Sequence, residues 1–426
     1  MQTSLPESIA KSAQGREGEA ILRTCVHCGF CLATCPTYQI LGDELDSPRG
    51  RIYLIKLMLE GAPVTRKTLT HLDRCLTCRN CETTCPSGVQ FGKLIDIGRS
   101  MAEAKVGRPP LERIKRATLN AILPAGNRLD ALLKLGRMAK PLLPKTLAEK
   151  IPNIAELPKH SQAHGTLRRK MLVLAGCVQP ALAPQINAAA AKVMKTLGIE
   201  LIPADKAGCC GAVSFHLNYQ ERGRDAMRHN IDAWWPHIES GAEAIVMTAS
   251  GCGVTVKQYS HYLKDDPVYA QKAERVSALT RDISEIVLGE QPRLFDSLKA
   301  RPLPSRIRVA WHAPCTLQHG QQITGVVEAL LTAAGYEVLI PTESNLCCGS
   351  AGTYSLLEPG IATQLRDRKL AHLHSLQPDV IATANIGCLT HLQSDSRVTV
   401  RHWIELLESA LTHKTWKAPG HLPLLS

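Results

Sequence analysis

The chain has 426 residues, 44% of them hydrophobic, with 50 Lys and Arg against 38 Asp and Glu for a formal charge of +12. That length exceeds one ordinary domain and predicts two to four units with substantial cores. No run of about 18 apolar residues occurs, which excludes a transmembrane helix on length, and sixteen cysteines behind a polar, non-secretory opening predict a reducing, cytoplasmic setting for thiol ligands rather than disulfides.

Residues 1–100 carry the string Cys25-x2-Cys28-x2-Cys31-x3-Cys35-Pro36, repeated as Cys75-x2-Cys78-x2-Cys81-x3-Cys85-Pro86 at a constant offset of 50. Three thiols two residues apart can wrap three iron corners of a 4Fe-4S cubane from one tight loop. The fourth must come from elsewhere. In two-cluster ferredoxin-type runs the Cys-Pro ligates the other cluster, so Cys25, Cys28, Cys31 and Cys85 are expected to hold one cubane and Cys75, Cys78, Cys81 and Cys35 the other. Pro36 and Pro86 fix φ just after the remote ligand and turn the chain away. Gly29 leaves room for backbone N–H groups to approach sulfide. The second loop has Arg79 in that place, read as a solvent-facing cation that weakly raises the second potential. Zinc leaves the x3-Cys-Pro pattern unexplained, and a disulfide framework does not suit so long a chain without a secretory signal.

Residues 101–168 read as a basic, Pro-containing helical connector. Between 101 and 170 there are 15 Lys or Arg against 5 Asp or Glu, which is most of the net charge. Amphipathic pieces such as LERIKRATLNAIL and LDALLKLGRMAKPLL fit either a docking surface for anionic lipid or an acidic subunit, or a solvated connector packed across two domains. Nucleic acid is not expected as a partner, because aromatic content is 4% and no stacking platform is apparent.

The remaining cysteines also duplicate: Cys177, Cys209, Cys210 and Cys252 recur as Cys315, Cys347, Cys348 and Cys388, at offsets of 138, 138, 138 and 136. Two copies of one module are implied, over 169–300 and 301–426. The first reads as strand KMLVLAG to Cys177, helix INAAAAKVMKTLG, strand IELIPA, a Cys-Cys-Gly loop, helix ERGRDAMRHNIDAWWPHIE and strand AIVMTASG ending on Cys252. The second runs RIRVAWHAP to Cys315, VVEALLTAAG, YEVLI, the same loop, ATQLRDRKLAHLHSL and VIATANIG to Cys388. Alternating strand and helix predict α/β units with mostly parallel sheets, and ligands in such sheets sit beyond the carboxyl ends of strands. The overall class is therefore α+β multidomain, a helical twin-cluster ferredoxin-like domain followed by two related α/β modules.

Four thiols per module can hold a further iron–sulfur cluster or a metal, or act as a redox dithiol centre, and adjacent cysteines argue against simple disulfides because vicinal bridges are strained. His27, His71 and His312 are read as structural, or as donors to sulfide. No Gly-x-Gly-x-x-Gly after a strand, Walker loop or nucleophile elbow is present, so no catalytic residue is assigned and the chain is read as a relay.

A twin ferredoxin segment followed by two Cys-Cys-Gly modules resembles the iron–sulfur subunits of glycolate oxidase, anaerobic glycerol-3-phosphate dehydrogenase, lactate-utilisation complexes and heterodisulfide reductase. The strings ILRTCVHCGFCLATCPTYQILGDELDSPRGRIYLIK, LDRCLTCRNCETTCPSGV, NIDAWWP, CTLQHGQ, LCCGSAGTYSL and TANIGCLTHL narrow the resemblance to the bacterial glycolate oxidase type. It implies separate FAD-containing subunits that oxidise glycolate to glyoxylate, a hetero-oligomer, and electron flow through this chain toward a quinone or other membrane acceptor. Peripheral attachment to the inner face of the cell membrane is implied with it. The alternatives are the subunit of a lactate or glycerol-3-phosphate dehydrogenase, or a heterodisulfide-reductase-like enzyme. Relatives with unusual clusters end the module in Cys-x-x-Cys, whereas here Cys252-Gly253-Val254-Thr255 and Cys388-Leu389-Thr390-His391 each lack that ligand, with His391 as a candidate substitute.

Overall fold

The computed structural model describes residues 1–139, 169–299 and 306–412. The amino-terminal part is built on four helices: α1 (Ala13–Thr24), α2 (Pro48–Leu59), α3 (Arg66–Asp73) and α4 (Phe91–Val106). Local chemistry sets their starts. The Ser12 and Ser47 hydroxyls accept from the N–H groups of Gly15 and Gly50 at 3.0 and 2.9 Å, and Pro48 supplies a preset φ at the first turn of α2. Their inner faces bury Leu22, Ile55, Leu59, Leu72, Leu94 and Ile95 completely, and each such side chain contributes about 1.5–3 kcal/mol. Gly98 lets α4 approach α2 closely, since a Cβ there would stand 2.7 Å from Ile55.

Helices α5 (Pro110–Ile122) and α6 (Gly126–Ala139) follow. Arg108 and Arg116 bind the Asp73 carboxylate at the end of α3, at 2.6 and 3.3 Å, and Lys115 donates to the Leu356 carbonyl. Part of the connector's positive charge is therefore spent on packing across neighbouring units. Its expected course beyond residue 139 lies outside the described residues.

Each module holds a four-stranded parallel sheet. In the first the order is β2-β1-β3-β4, with β1 Arg169–Val173, β2 Ile199–Pro203, β3 Ile245–Met247 and β4 Thr280–Asp282. The second repeats it as β6-β5-β7-β8, with β5 Arg308–His312, β6 Glu337–Leu339, β7 Val380–Thr383 and β8 Val400–His402. Central strands carry apolar runs because both faces are covered, as in Ile245–Met247 and Val380–Ala382. The chain order reverses between β1 and β3, and between β5 and β7, which opens a crevice at the carboxyl ends of those strands.

The structure differs from the sequence expectation in two respects. Strands β4 and β8 were not expected. Cys252 and Cys388 were expected at strand ends but lie in the first turns of helices α9 (Ser250–Val256) and α13 (Ile386–Gln393). The reason is non-local for the first of these: the Ser250 N–H is satisfied by the Ala384 carbonyl of the other module at 3.1 Å, and the Gly251 N–H by Asn385 Oδ1 at 3.2 Å.

The two modules pack around a pseudo-twofold relation. Helix α7 (Gln185–Thr196) of the first meets α14 (Trp403–Thr412) of the second, and reciprocally α10 (Ile283–Gly289) meets α11 (Val326–Ala333). Their shared core buries Val193, Val287, Leu330, Trp311 and Trp403. Matching caps lie at the ends of β4 and β8. Asp282 accepts from the Ser284 N–H at 3.0 Å while its own N–H donates to Glu285, and His402 Nδ1 accepts from the Ile404 N–H at 3.3 Å while its own N–H donates to Glu405.

His402 is fully buried, and desolvation lowers its pKa to about 4. An unfolded histidine titrates near 6.5, so this residue's contribution is complete above that pH and is lost as pH falls toward 4, by about 3 kcal/mol. Asn at this position keeps a capping acceptor and does not titrate. Chemical denaturation of His402→Asn from pH 7 to 4 is expected to give a shallower loss of stability than the native chain. Parallel curves would contradict the assignment.

Candidate metal centres

The two Cys-rich loops share an unusual backbone. His27 and Gly29 in the first, and Thr77 and Arg79 in the second, have φ of 60°, 88°, 53° and 61°. Only one of the four is glycine, so the other three hold a left-handed conformation against their Cβ preference. Arg99 helps to hold the second loop: Nη1 donates to Thr77 Oγ1 at 3.0 Å, Nε to the Leu72 carbonyl at 3.1 Å, and Nη2 to the Cys75 carbonyl. The Thr77 N–H donates to Cys75 Sγ at 3.3 Å.

Around these loops the chain brings together the thiols that the sequence paired. One cavity is lined by Cys25, Cys28, Cys31 and Cys85, and a second by Cys35, Cys75, Cys78 and Cys81, with Cys81 also bordering the first. Asn80, which is buried, ties the loops together by donating to the Thr34 carbonyl at 3.0 Å and to the Asn345 carbonyl of the second module at 3.1 Å. Cys35, the remote thiol of the second cavity, sits 3.3 Å from Thr37 Oγ1 and 4.0 Å from Arg51 Nη1. Arg51 is in turn paired with the fully buried Asp46, which also binds Arg74 and His71.

Burial raises the pKa of Cys25, lifts Cys31 to about 11, and pushes Cys78 and Cys81 well up, with neighbouring thiols adding to the effect. Such thiols become thiolates only when a strong positive centre compensates them, which is how metal binding couples to deprotonation. The donor set, all thiol and grouped in fours, fits a cubane.

The two loops differ in surroundings. Cys28 is exposed, and Val26 and Phe30 beside it are 69% and 62% exposed. The second loop is covered by the second module, where Leu76 and Cys78 pack with Cys315, Cys347 and Tyr354. Arg79 is not solvent-facing as expected. It is half-buried, and its Nη2 donates to Gln258 Oε1 of the first module at 2.7 Å.

The modules' thiols form two chains of near neighbours. In the first, hydrogen bonds link Cys177 to Cys209, Cys209 to Cys210 and Cys210 to Cys252, and they raise Cys177 and Cys210 and lower Cys209. In the second, Cys315 Sγ lies 3.8 Å from Cys347 Sγ, and Cys348 is linked to Cys347 and Cys388. Gly211 and Gly349 follow the vicinal pairs with φ of 92° and 89°, and a Cβ there would stand 2.6 Å from the Gly223 carbonyl and 2.5 Å from that of Ala362. No other residue suits either position.

Thiols of all three units meet at one cavity of about 540 Å³, lined by Cys75 and Cys78 from the second loop and by Cys177, Cys210, Cys252, Cys315, Cys347 and Cys388. Two histidines border it. His216 is held neutral, near a pKa of 4, by desolvation and by the nearby Arg99 and Arg79, and His391 Nε2 lies 3.2 Å from the Ala362 carbonyl. His71 lies 3.1 Å from Asp46, and the His27 ring is 6.4 Å from that of Tyr53. His312, read from the sequence as structural or as a donor to sulfide, has two thiols as neighbours. It groups with Cys348 and Cys388, all three ligand atoms lying within 4.8 Å of one another. No local spacing signals this group, because both thiols are distant in the chain from His312.

Residues 21–89 match a 4Fe-4S dicluster domain family, and residues 171–257 and 309–393 each match a cysteine-rich domain family. Over 96% of its length the chain is 53% identical to the glycolate oxidase iron-sulfur subunit of Escherichia coli K12, covering 99% of that protein. It is 27% identical to the probable glycolate oxidase iron-sulfur subunit of Bacillus subtilis 168, over 96% of this chain and 98% of that one. More distant is lactate utilization protein A of Bacillus licheniformis, 24% identical over 56% of this chain and 99% of the other. Paired thiol cavities, duplicated cysteine-rich modules and near full-length likeness agree: this is an iron–sulfur protein with two 4Fe-4S clusters, and it belongs to the glycolate oxidase iron-sulfur subunit family.

Proposed function

We propose that the chain is the electron-carrying subunit of a flavin-dependent glycolate oxidase complex. FAD-containing partner subunits oxidise glycolate to glyoxylate, and this chain passes the electrons toward a quinone-type acceptor. The observation that carries the reading is the crosswise grouping of thiols, three from one loop with the Cys-Pro cysteine of the other. In this reading Cys25, Cys28, Cys31 and Cys85 hold one cubane, and Cys75, Cys78, Cys81 and Cys35 the other. Cubanes supply one-electron transfer. The protein's own part is to keep eight thiols in place, to shield Cys35 with Thr37 and Arg51, and to set the second loop against the Cys315 and Cys347 thiols. The exposed first loop then faces a partner, and the covered second loop faces inward. Residues 1–100, 101–168, 169–300 and 301–426 are the proposed units.

The identity to a glycolate oxidase subunit supports this substrate over lactate or glycerol 3-phosphate. The heterodisulfide-reductase-like alternative is disfavoured because Thr255 and His391 stand where the second cysteine of a Cys-x-x-Cys ending belongs.

Peripheral attachment to an anionic membrane surface is part of the proposal. Among the described residues no helix is long and apolar enough to cross a membrane. Leu111 and Ile114 on α5, with Leu132, Leu135 and Met138 on α6, are between 48% and 79% exposed amid the basic stretch. Apolar side chains flanked by Lys and Arg suit an interface of acyl chains and anionic headgroups. Sedimentation with phosphatidylglycerol vesicles is expected to carry the chain down, and Leu111→Glu with Met138→Glu to release it. Equal recovery with neutral and anionic vesicles would contradict this.

Cross-ligation makes a paired prediction. Cys35→Ser and Cys75→Ser should abolish the same EPR signal and each lower iron by about four atoms per chain, whereas Cys85→Ser and Cys25→Ser should abolish the other. Pairing of Cys35→Ser with Cys25→Ser instead would overturn the assignment. With seven of the eight thiols buried or half-buried and then unneutralised, chelation of iron is expected to open residues 1–100 to protease. Persisting resistance there would contradict the coupling. For the complex, glycolate-driven reduction of a quinone analogue is expected to need this chain beside its flavoprotein partners, and undiminished turnover without it would refute the relay.

A further inference from the structure

The two modules are built on one plan, yet one position breaks the symmetry. His312 closes strand β5, three residues before Cys315, and the corresponding residue, one past the end of β1, is Leu174, three before Cys177. Both are buried, at 2% and 3% exposure. Leucine suits that place. Neither ring nitrogen of His312 has a hydrogen-bond partner. A buried imidazole with both nitrogens unmet is costly in an apolar setting, and such groups usually mark a ligand or a missing partner.

The neighbours say which. One nitrogen of His312, Cys348 Sγ and Cys388 Sγ all lie within 4.8 Å of one another, close enough to converge on a single ion. Among the described residues no comparable trio occurs in the first module. The nearby cation, Lys369, donates to the Glu343 carbonyl, so it is turned to the backbone rather than to the thiols. Asn385 Nδ2 donates to Cys388 Sγ at 3.7 Å. Imidazole with thiolates is the donor set of zinc and of mixed-ligand iron–sulfur centres.

We propose that the second module binds metal through His312 together with Cys348 and Cys388, and that the first module, with Leu174, lacks this nitrogen donor. This rests on the reading of the chain as a metal-bearing relay, and it makes the two cysteine-rich modules chemically distinct. Binding expels the protons of both thiols, and the imidazole enters neutral. Cys315 and Cys347, joined at 3.8 Å, stand next in line if the centre is an iron cluster rather than a single ion.

The test uses the full chain purified without oxygen from cells fed natural or 15N-labelled histidine. For iron, pulsed EPR is expected to reveal a histidine nitrogen coupling that changes with the label. For zinc, absorption at the zinc edge is expected to reveal a nitrogen shell at about 2.0–2.1 Å beside sulfur at about 2.3 Å. His312→Leu copies the residue of the first module and should lose both the nitrogen signature and that centre's metal, with the ferredoxin-type signals intact. His312→Cys should keep metal and lose only the nitrogen. The proposal falls if the native protein shows histidine nitrogen on neither metal, a result that stands whether or not the variants fold. It falls equally if His312→Leu keeps both metal content and spectra. Absence of the ferredoxin-type signals from the native chain would instead overturn the relay itself.

Discussion

Everything in this molecule depends on the exchange of one thiol between two loops. Each loop alone surrounds three corners of a cavity, and the fourth thiol arrives from a residue fifty positions away, Cys85 for the first and Cys35 for the second. Neither cavity is complete unless α1 through α4 have packed, because those helices fix the distance between the loops. The left-handed residues at His27, Thr77 and Arg79 are the local cost of this arrangement, and Arg99 and Asn80 are the hydrogen-bonding residues that hold it. The buried Asp46 with its cationic partners serves the remote Cys35 in the same way, since removing one partner of a buried charge group is far more damaging than replacing the group whole.

The duplicated modules extend the same logic to a larger scale. A switch in strand order places the vicinal cysteines and the outer ones at one crevice in each copy, and the pseudo-twofold packing turns the crevices toward a common cavity with the second loop. Thiols are thus graded from the surface at Cys28 to the interior at Cys347 and Cys348. The two copies are not equal. Asp282 is matched by His402 in the caps and Leu174 by His312 at the thiols.

Much of this was legible in the sequence. The cysteine spacings predicted the grouping of thiols, and the repeated offset predicted two like units, because both are properties of residue intervals alone. Apolar runs such as Val309–Trp311 marked the central strands. What escaped depended on distant partners. Thr280–Asp282 and Val400–His402 are three residues each and carry no apolar signature. Cys252 and Cys388 read as strand ends because their glycine-rich surroundings look like loops, and the acceptor that lets the first of these helices begin, the Ala384 carbonyl, belongs to the other module. Arg79 looked solvent-facing until Gln258, 179 residues on, was seen to cover it. His312 was read as structural because its companions Cys348 and Cys388 become neighbours only through the order of the sheet.

The most direct test of the central claim is anomalous scattering at the iron edge from crystals of the anaerobically prepared chain. The account predicts iron in both amino-terminal cavities, one bounded by Cys25, Cys28, Cys31 and Cys85 and the other by Cys35, Cys75, Cys78 and Cys81. Zinc in those cavities, or thiols with no metal between them, would contradict it.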